Sequence, residues 1–190
     1  MTSPSTPRPF RMFFICTGNQ ARSPIAAAWT GRALSALPVE VGSAGTLPRP
    51  PSPVLLEAGA IATQLGLDVA LHRSSHVGSH DLSSADLVVG FELHHVAAAV
   101  VDAKAPASRA FLLKELVRLA RSVARPPHPD PLARARAVIE LADGLRRETG
   151  PALGEEIRDP AGRRIKTFRE IVFEVVRACD EMTALLFGQS

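Results

Sequence analysis

The stretch FRMFFICTGNQARSP, residues 10–24, decides the fold. Phe10 to Ile15 is short, apolar and aromatic, and predicts a buried strand. Pro24 to Leu37 carries alanines, Ile25, Trp29 and Leu34 at helical spacing, with Trp29 expected in the core. Ser23 reads as the capping hydroxyl of that helix and Pro24 as its first residue. A strand that passes through a short loop into a helix is the opening unit of a parallel α/β sheet. Ligands of such sheets gather beyond the carboxyl ends of the strands, which is where Cys16 falls.

The loop itself carries the chemistry. Residues Thr17 to Ala21 are enough to wrap backbone N–H groups around one anion. Gly18 takes positive φ at no steric cost, and Asn19 tolerates unusual dihedrals while bracing the loop with its amide. The helix start adds its positive end at the same point, and Arg22 offers a planar fork that matches two phosphate oxygens. A thiol held there is expected to react as the thiolate and to attack phosphorus, with Ser23 donating to the sulfur. A leaving oxygen needs a proton. Asp159 is the candidate, held extended by Pro160 in a polar turn. Asp130 also precedes a proline but lies in a linker.

Working outward, residues 1–9 are rich in Ser, Thr and Pro and read as a disordered leader, with one domain over 10–190. Further strands are expected at Val39–Val41, Asp86–Phe91 and Ala110–Leu113, with helices over Val54–Gly66, Glu92–Val101, Lys114–Ala124, Pro131–Glu148 and Ile165–Phe187. The fold class is therefore α/β, a four-stranded parallel sheet flanked by helices on both faces. The prolines of residues 126–131 set off a segment, about 125–150, that reads as an added helical hairpin or lid; its arginines suggest a solvated face.

Bulk properties bound the rest. A chain of 190 residues buries a real core, and a formal charge of +3 without a long basic run argues against nucleic acid. No apolar window reaches membrane-spanning length. Two cysteines and no signal segment suggest a cytoplasmic protein, and a monomer or weak dimer is expected. His72, His76 and His80 would line up metal ligands only on a helix, which Gly78 and the serines disfavour. His94 and His95 read as an exposed helix end. No metal and no cofactor is expected.

CTGNQARSP, with GSAGT downstream and a late Asp-Pro, resembles the low-molecular-weight protein tyrosine phosphatase family over about residues 11–187. The resemblance implies a flavodoxin-like three-layer sandwich and a two-step, metal-free hydrolysis through a phosphocysteine. It implies Cys16 as nucleophile, Arg22 as phosphoryl clamp and Asp159 as acid then base. It also implies a phosphate loop of Thr17, Gly18, Asn19, Gln20, Ala21, Arg22 and Ser23, supported by Ser43 and His72. The implied partner is a phosphorylated protein, with phosphotyrosine as the expected group.

Several positions depart from the family pattern. Ala21 stands where members often carry a second cysteine, so disulfide protection of Cys16 is not expected. Gln20, Leu47, Pro48, Arg49, Ala161 and Gly162 leave the pocket poor in aromatics, and the chain has no tyrosine. Phosphoarginine hydrolysis is therefore the nearest alternative. Arsenate reduction and non-catalytic binding of phosphoproteins are the others.

Overall fold

The computed structural model describes residues 8–150 and 152–188. Four parallel strands form one sheet: β1 (Phe10–Cys16), β2 (Val39–Gly45), β3 (Leu87–Gly90) and β4 (Ala110–Leu112), in the spatial order β2-β1-β3-β4. The helices are α1 (Arg22–Ala33), α2 (Leu56–Gln64), α3 (Leu93–Asp102), α4 (Leu113–Ser122), α5 (Pro131–Thr149) and α6 (Ile165–Phe187). Each strand feeds a helix, as a parallel sheet requires. This is the expected flavodoxin-like α/β sandwich. The leader expected over 1–9 lies outside the described residues up to residue 7. At residue 8 the chain is tied down, because the Arg8 guanidinium pairs with Asp86 at 2.6 Å.

Strand β1 is the central strand, and its period of two sorts its side chains between layers. Phe10, Met12, Phe14 and Cys16 face one side, in a core with Phe91, Phe111, Leu116, Val175 and Phe187. Ile15 faces the other, with Val77, Leu82, Val88 and Ala99 beneath α3. Helices α1, α2 and α6 share a third apolar cluster around Ile25, Ile61 and Phe168. The hydrophobic face of α6 has the bounds that its periodicity indicates, Ile165 to Phe187.

Two expectations change. The segment set off by prolines is one helix, α5, and not a hairpin or lid. Leu132, Ala135, Val138, Ile139 and Ala142 bury one face of it in the main core beside α4 and α6. Asp130 is its N-cap, accepting from the Leu132 amide at 3.0 Å. Nor are its arginines simply solvated. Arg136 pairs with Asp86 at 3.0 Å, and Arg146 donates to the Ala110 carbonyl at 2.7 Å with its guanidinium over the Phe111 ring. Helix α1 begins at Arg22 on an Ala21 N-cap with no side-chain cap, so Ser23 is not the capping residue.

Candidate active site

Cys16 ends β1, and the chain turns back on its sulfur. The Asn19 amide donates to Cys16 Sγ at 3.2 Å, and the Ser23 hydroxyl lies 3.0 Å from the same atom. Ser23 does not cap the helix because its oxygen is turned toward the Cys16 sulfur. The turn needs a left-handed residue, and Asn19 supplies it with φ of 49°; Gly18 does not adopt positive φ.

Asn19 can hold that conformation because every polar atom of it is engaged. Its Nδ2 donates to Ser23 Oγ and to Ser43 Oγ, each at 2.9 Å. Its Oδ1 accepts the Ser75 amide at 3.0 Å, and its backbone carbonyl lies 2.7 Å from His72 Nε2. Ser43 and His72 therefore stand behind the loop, each bonded to Asn19. His76 and His80 do not join His72 on a helix. They flank a short 3-10 turn, bonded to the Gly78 amide and to Ser75 Oγ.

The Arg22 side chain is 1% exposed and pinned on several sides. Its Nη1 donates to Glu92 Oε2 at 2.6 Å and to the Ile157 carbonyl at 2.8 Å. Its Nη2 donates to Thr17 Oγ1 at 3.1 Å and lies 3.0 Å from Asp159 Oδ2. Asp159 comes to the loop because Ile157 is stitched to the end of β3, its amide donating to the Phe91 carbonyl at 2.7 Å. The other carboxyl oxygen of Asp159 accepts the Ala161 amide at 3.0 Å. Cys16, Thr17, Gly18, Gln20, Ala21, Arg22 and Asp159 thus share one cleft of about 230 Å³, walled by Leu47, Arg49, Leu55 and Ala161.

Two residues escaped the sequence reading. Glu92, at the carboxyl end of β3, neutralises and orients Arg22; its place beyond a strand end was the available signal. His95 is wholly buried, not at an exposed helix end, with Nε2 3.0 Å from Thr17 Oγ1. Burial, then the Arg22 and His94 charges, push its imidazole down to about 2, so it is neutral. Glu92, His94 and His95 cluster as three potential metal ligands, but both His95 nitrogens and the Glu92 carboxylate are already bonded within the protein.

A sequence profile described as low molecular weight phosphotyrosine protein phosphatase matches residues 11–143. A protein-arginine-phosphatase from Geobacillus stearothermophilus is 34% identical over 110 residues, spanning 57% of this chain and 72% of that protein. An arsenate reductase from Staphylococcus xylosus is 36% identical over 78 residues, spanning 41% of this chain and 56% of that protein. Among solved structures, a low molecular weight protein tyrosine phosphatase from T. tengcongensis superposes with a TM-score of 0.64 at 23% identity, covering 91% of this chain and 97% of that one. The YwlE arginine phosphatase from Geobacillus stearothermophilus gives 0.61 at 26% identity, covering 92% and 90%. With the profile spanning most of the chain over the same strand, loop and helix that build the cleft, this protein belongs to the low molecular weight phosphotyrosine protein phosphatase family.

Proposed function

We propose that the chain hydrolyses phosphotyrosine in proteins through a phosphocysteine on Cys16. The observation that carries the reading is convergence. A buried sulfur held by an amide donor and a hydroxyl, an immobilised guanidinium and a half-exposed carboxylate line one cleft. Cys16 Sγ attacks phosphorus while the ester oxygen departs with the proton of Asp159. Arg22 and the loop amides hold the equatorial oxygens, which carry the developing charge. Asp159 then takes a proton from water as that water displaces the sulfur, and inorganic phosphate leaves. Asp159 pairs with Arg22, and a bound phosphoryl group would take over that guanidinium face and free the carboxyl for the leaving oxygen.

The rim supports an aryl ester. Leu47, Leu55 and Ala161 offer apolar walls to a ring. Arg49, hydrogen-bonded to Gln20 Oε1 beside Gly18, sets a cation where the guanidinium of phosphoarginine would have to pass. Phosphoarginine remains the second reading, favoured by the 34%-identical relative and by a rim without aromatic stacking partners. Arsenate reduction is not supported by the second thiol. Cys179 is fully buried, and burial pushes it up to about 12.

The test measures release of phosphate from phosphotyrosine and phosphoarginine peptides by wild type and Cys16→Ser. Faster turnover of phosphotyrosine, lost in Cys16→Ser, is the expected result. Faster phosphoarginine release replaces the first reading by the second, and undiminished activity in Cys16→Ser rejects the mechanism.

A further inference from the structure

The hydrogen-bond circuit behind the loop fixes more than the position of Arg22. His95 sits in the first turn of α3 with both ring nitrogens engaged. Its Nδ1 lies 3.3 Å from the Phe91 amide and 3.0 Å from the Glu92 amide. Amides only donate, so Nδ1 is an acceptor and carries no proton. The single proton of the neutral ring is therefore on Nε2, which faces Thr17 Oγ1 at 3.0 Å and donates to it. Glu92 Oε2, at 3.7 Å from the same nitrogen, is too distant to compete and is bonded to Arg22.

Thr17 Oγ1 receives a second donor. The Arg22 Nη2, which has no acceptor character, donates to it at 3.1 Å. A hydroxyl oxygen has two lone pairs, and both are now used. What remains is the hydroxyl proton, which occupies the one direction left. Thr17 lines the cleft together with Cys16, Gly18 and Arg22, and among the described residues its hydroxyl makes no further hydrogen bond.

Building on the phosphatase reading of this cleft, the structure assigns the Thr17 hydroxyl as a committed donor to a phosphoryl oxygen, with His95 as the positioning residue that commits it. A threonine hydroxyl in other surroundings rotates and is as ready to accept as to donate. Here two donor-only partners remove that freedom before substrate arrives, so no reorganisation is needed when an anion binds. His95 touches neither substrate nor sulfur. It acts only through Thr17; its burial keeps the ring neutral, and the Phe91 and Glu92 amides keep it in the one tautomer that serves.

The test reads binding of inorganic phosphate by calorimetry, alongside turnover of an aryl phosphate. Thr17→Val keeps the shape and removes the hydroxyl, and it is expected to weaken phosphate binding roughly tenfold or more, the range for a hydrogen bond to a charged group. Thr17→Ser restores binding to within about threefold. His95→Leu weakens binding in the wild-type background and adds nothing in the Thr17→Val background, because the two residues act in one chain. Wild-type affinity in Thr17→Val, or an equal loss from His95→Leu in both backgrounds, overturns the assignment. A wild-type protein that neither binds phosphate nor cleaves an aryl phosphate overturns the phosphatase reading itself, and this inference with it.

Discussion

Cys16 and Asp159 line one cleft with different degrees of freedom. The sulfur is buried and held by the Asn19 amide and the Ser23 hydroxyl, whereas the Asp159 side chain is 38% exposed and rests on Arg22. That asymmetry suits a fixed nucleophile and a proton donor that must turn toward the leaving oxygen. Asp159→Asn keeps the size and the Ala161 contact but cannot give a proton. It is expected to lower kcat/KM, which reports the step that forms the phosphocysteine, by about 10²–10⁴ on a poor leaving group and by much less on a good aryl one. A series of aryl phosphates of graded leaving-group acidity measures this. A uniform loss across the series would instead mean that Asp159 serves only to orient Arg22. Glu92 makes the complementary case, since it holds the guanidinium without lining the cleft. Glu92→Gln is expected to raise KM for an aryl phosphate more than it lowers kcat, as steady-state kinetics would report.

Helix and strand ends determine how closely the elements approach the loop. Gly45 closes β2 where the loop crosses it, and a Cβ built there would lie 2.7 Å from the Thr17 carbonyl oxygen and 3.0 Å from the Asn19 nitrogen. Both are backbone atoms that cannot swing away. Gly45→Ala is therefore expected to cost about 1–3 kcal/mol of stability and to cut kcat by tenfold or more, because the loop must shift to admit it. Gly144 is the control. It lies within α5 with open space around it, so Gly144→Ala is expected to stabilise by about 0.5–1 kcal/mol and leave kcat unchanged. Thermal unfolding and turnover of both variants check the pair.

The elements also mark where sequence was readable. α6 and β1 follow directly from hydrophobic spacing, because each buries a continuous stripe. The start of α1 differs from what its local sequence indicates, because Ser23–Pro24 has the chemistry of a cap. A contact made only in the folded state, Ser23 with Cys16, outweighs the local preference. His95 was out of reach for the same reason, since its meaning comes from Thr17, which is 78 residues away in the chain.

At the scale of the whole molecule, Asp86 joins parts that no local pattern connects. Its carboxylate, 1% exposed at the entry to β3, pairs with Arg8 before β1 and with Arg136 of α5, and it accepts the Arg11 amide at 2.9 Å. This tie is one reason α5 packs as part of the domain rather than hanging as a lid, although its arginines read from sequence as a solvated face. Burial alone would raise the pKa of Asp86. The Arg136 side chain, the Arg11 amide and the Arg8 guanidinium outweigh that and hold it below the ordinary 3.8. The sign of the pH effect follows. As pH falls through 3.8, the unfolded chain takes up the proton first, so the contribution of Asp86 is complete above that value. It is lost as pH drops further, toward the lower folded value. Asp86→Asn has no such titration. It is expected to be about 2–3 kcal/mol less stable than wild type at neutral pH, the cost of weakening buried bonds between charged groups. The two proteins should converge as pH falls below the folded titration of Asp86, where the wild-type carboxyl is protonated in both states. Urea unfolding midpoints at neutral and acid pH measure the gap directly. A gap that stays constant with pH would mean that the Asp86 charge contributes nothing and that only its shape matters.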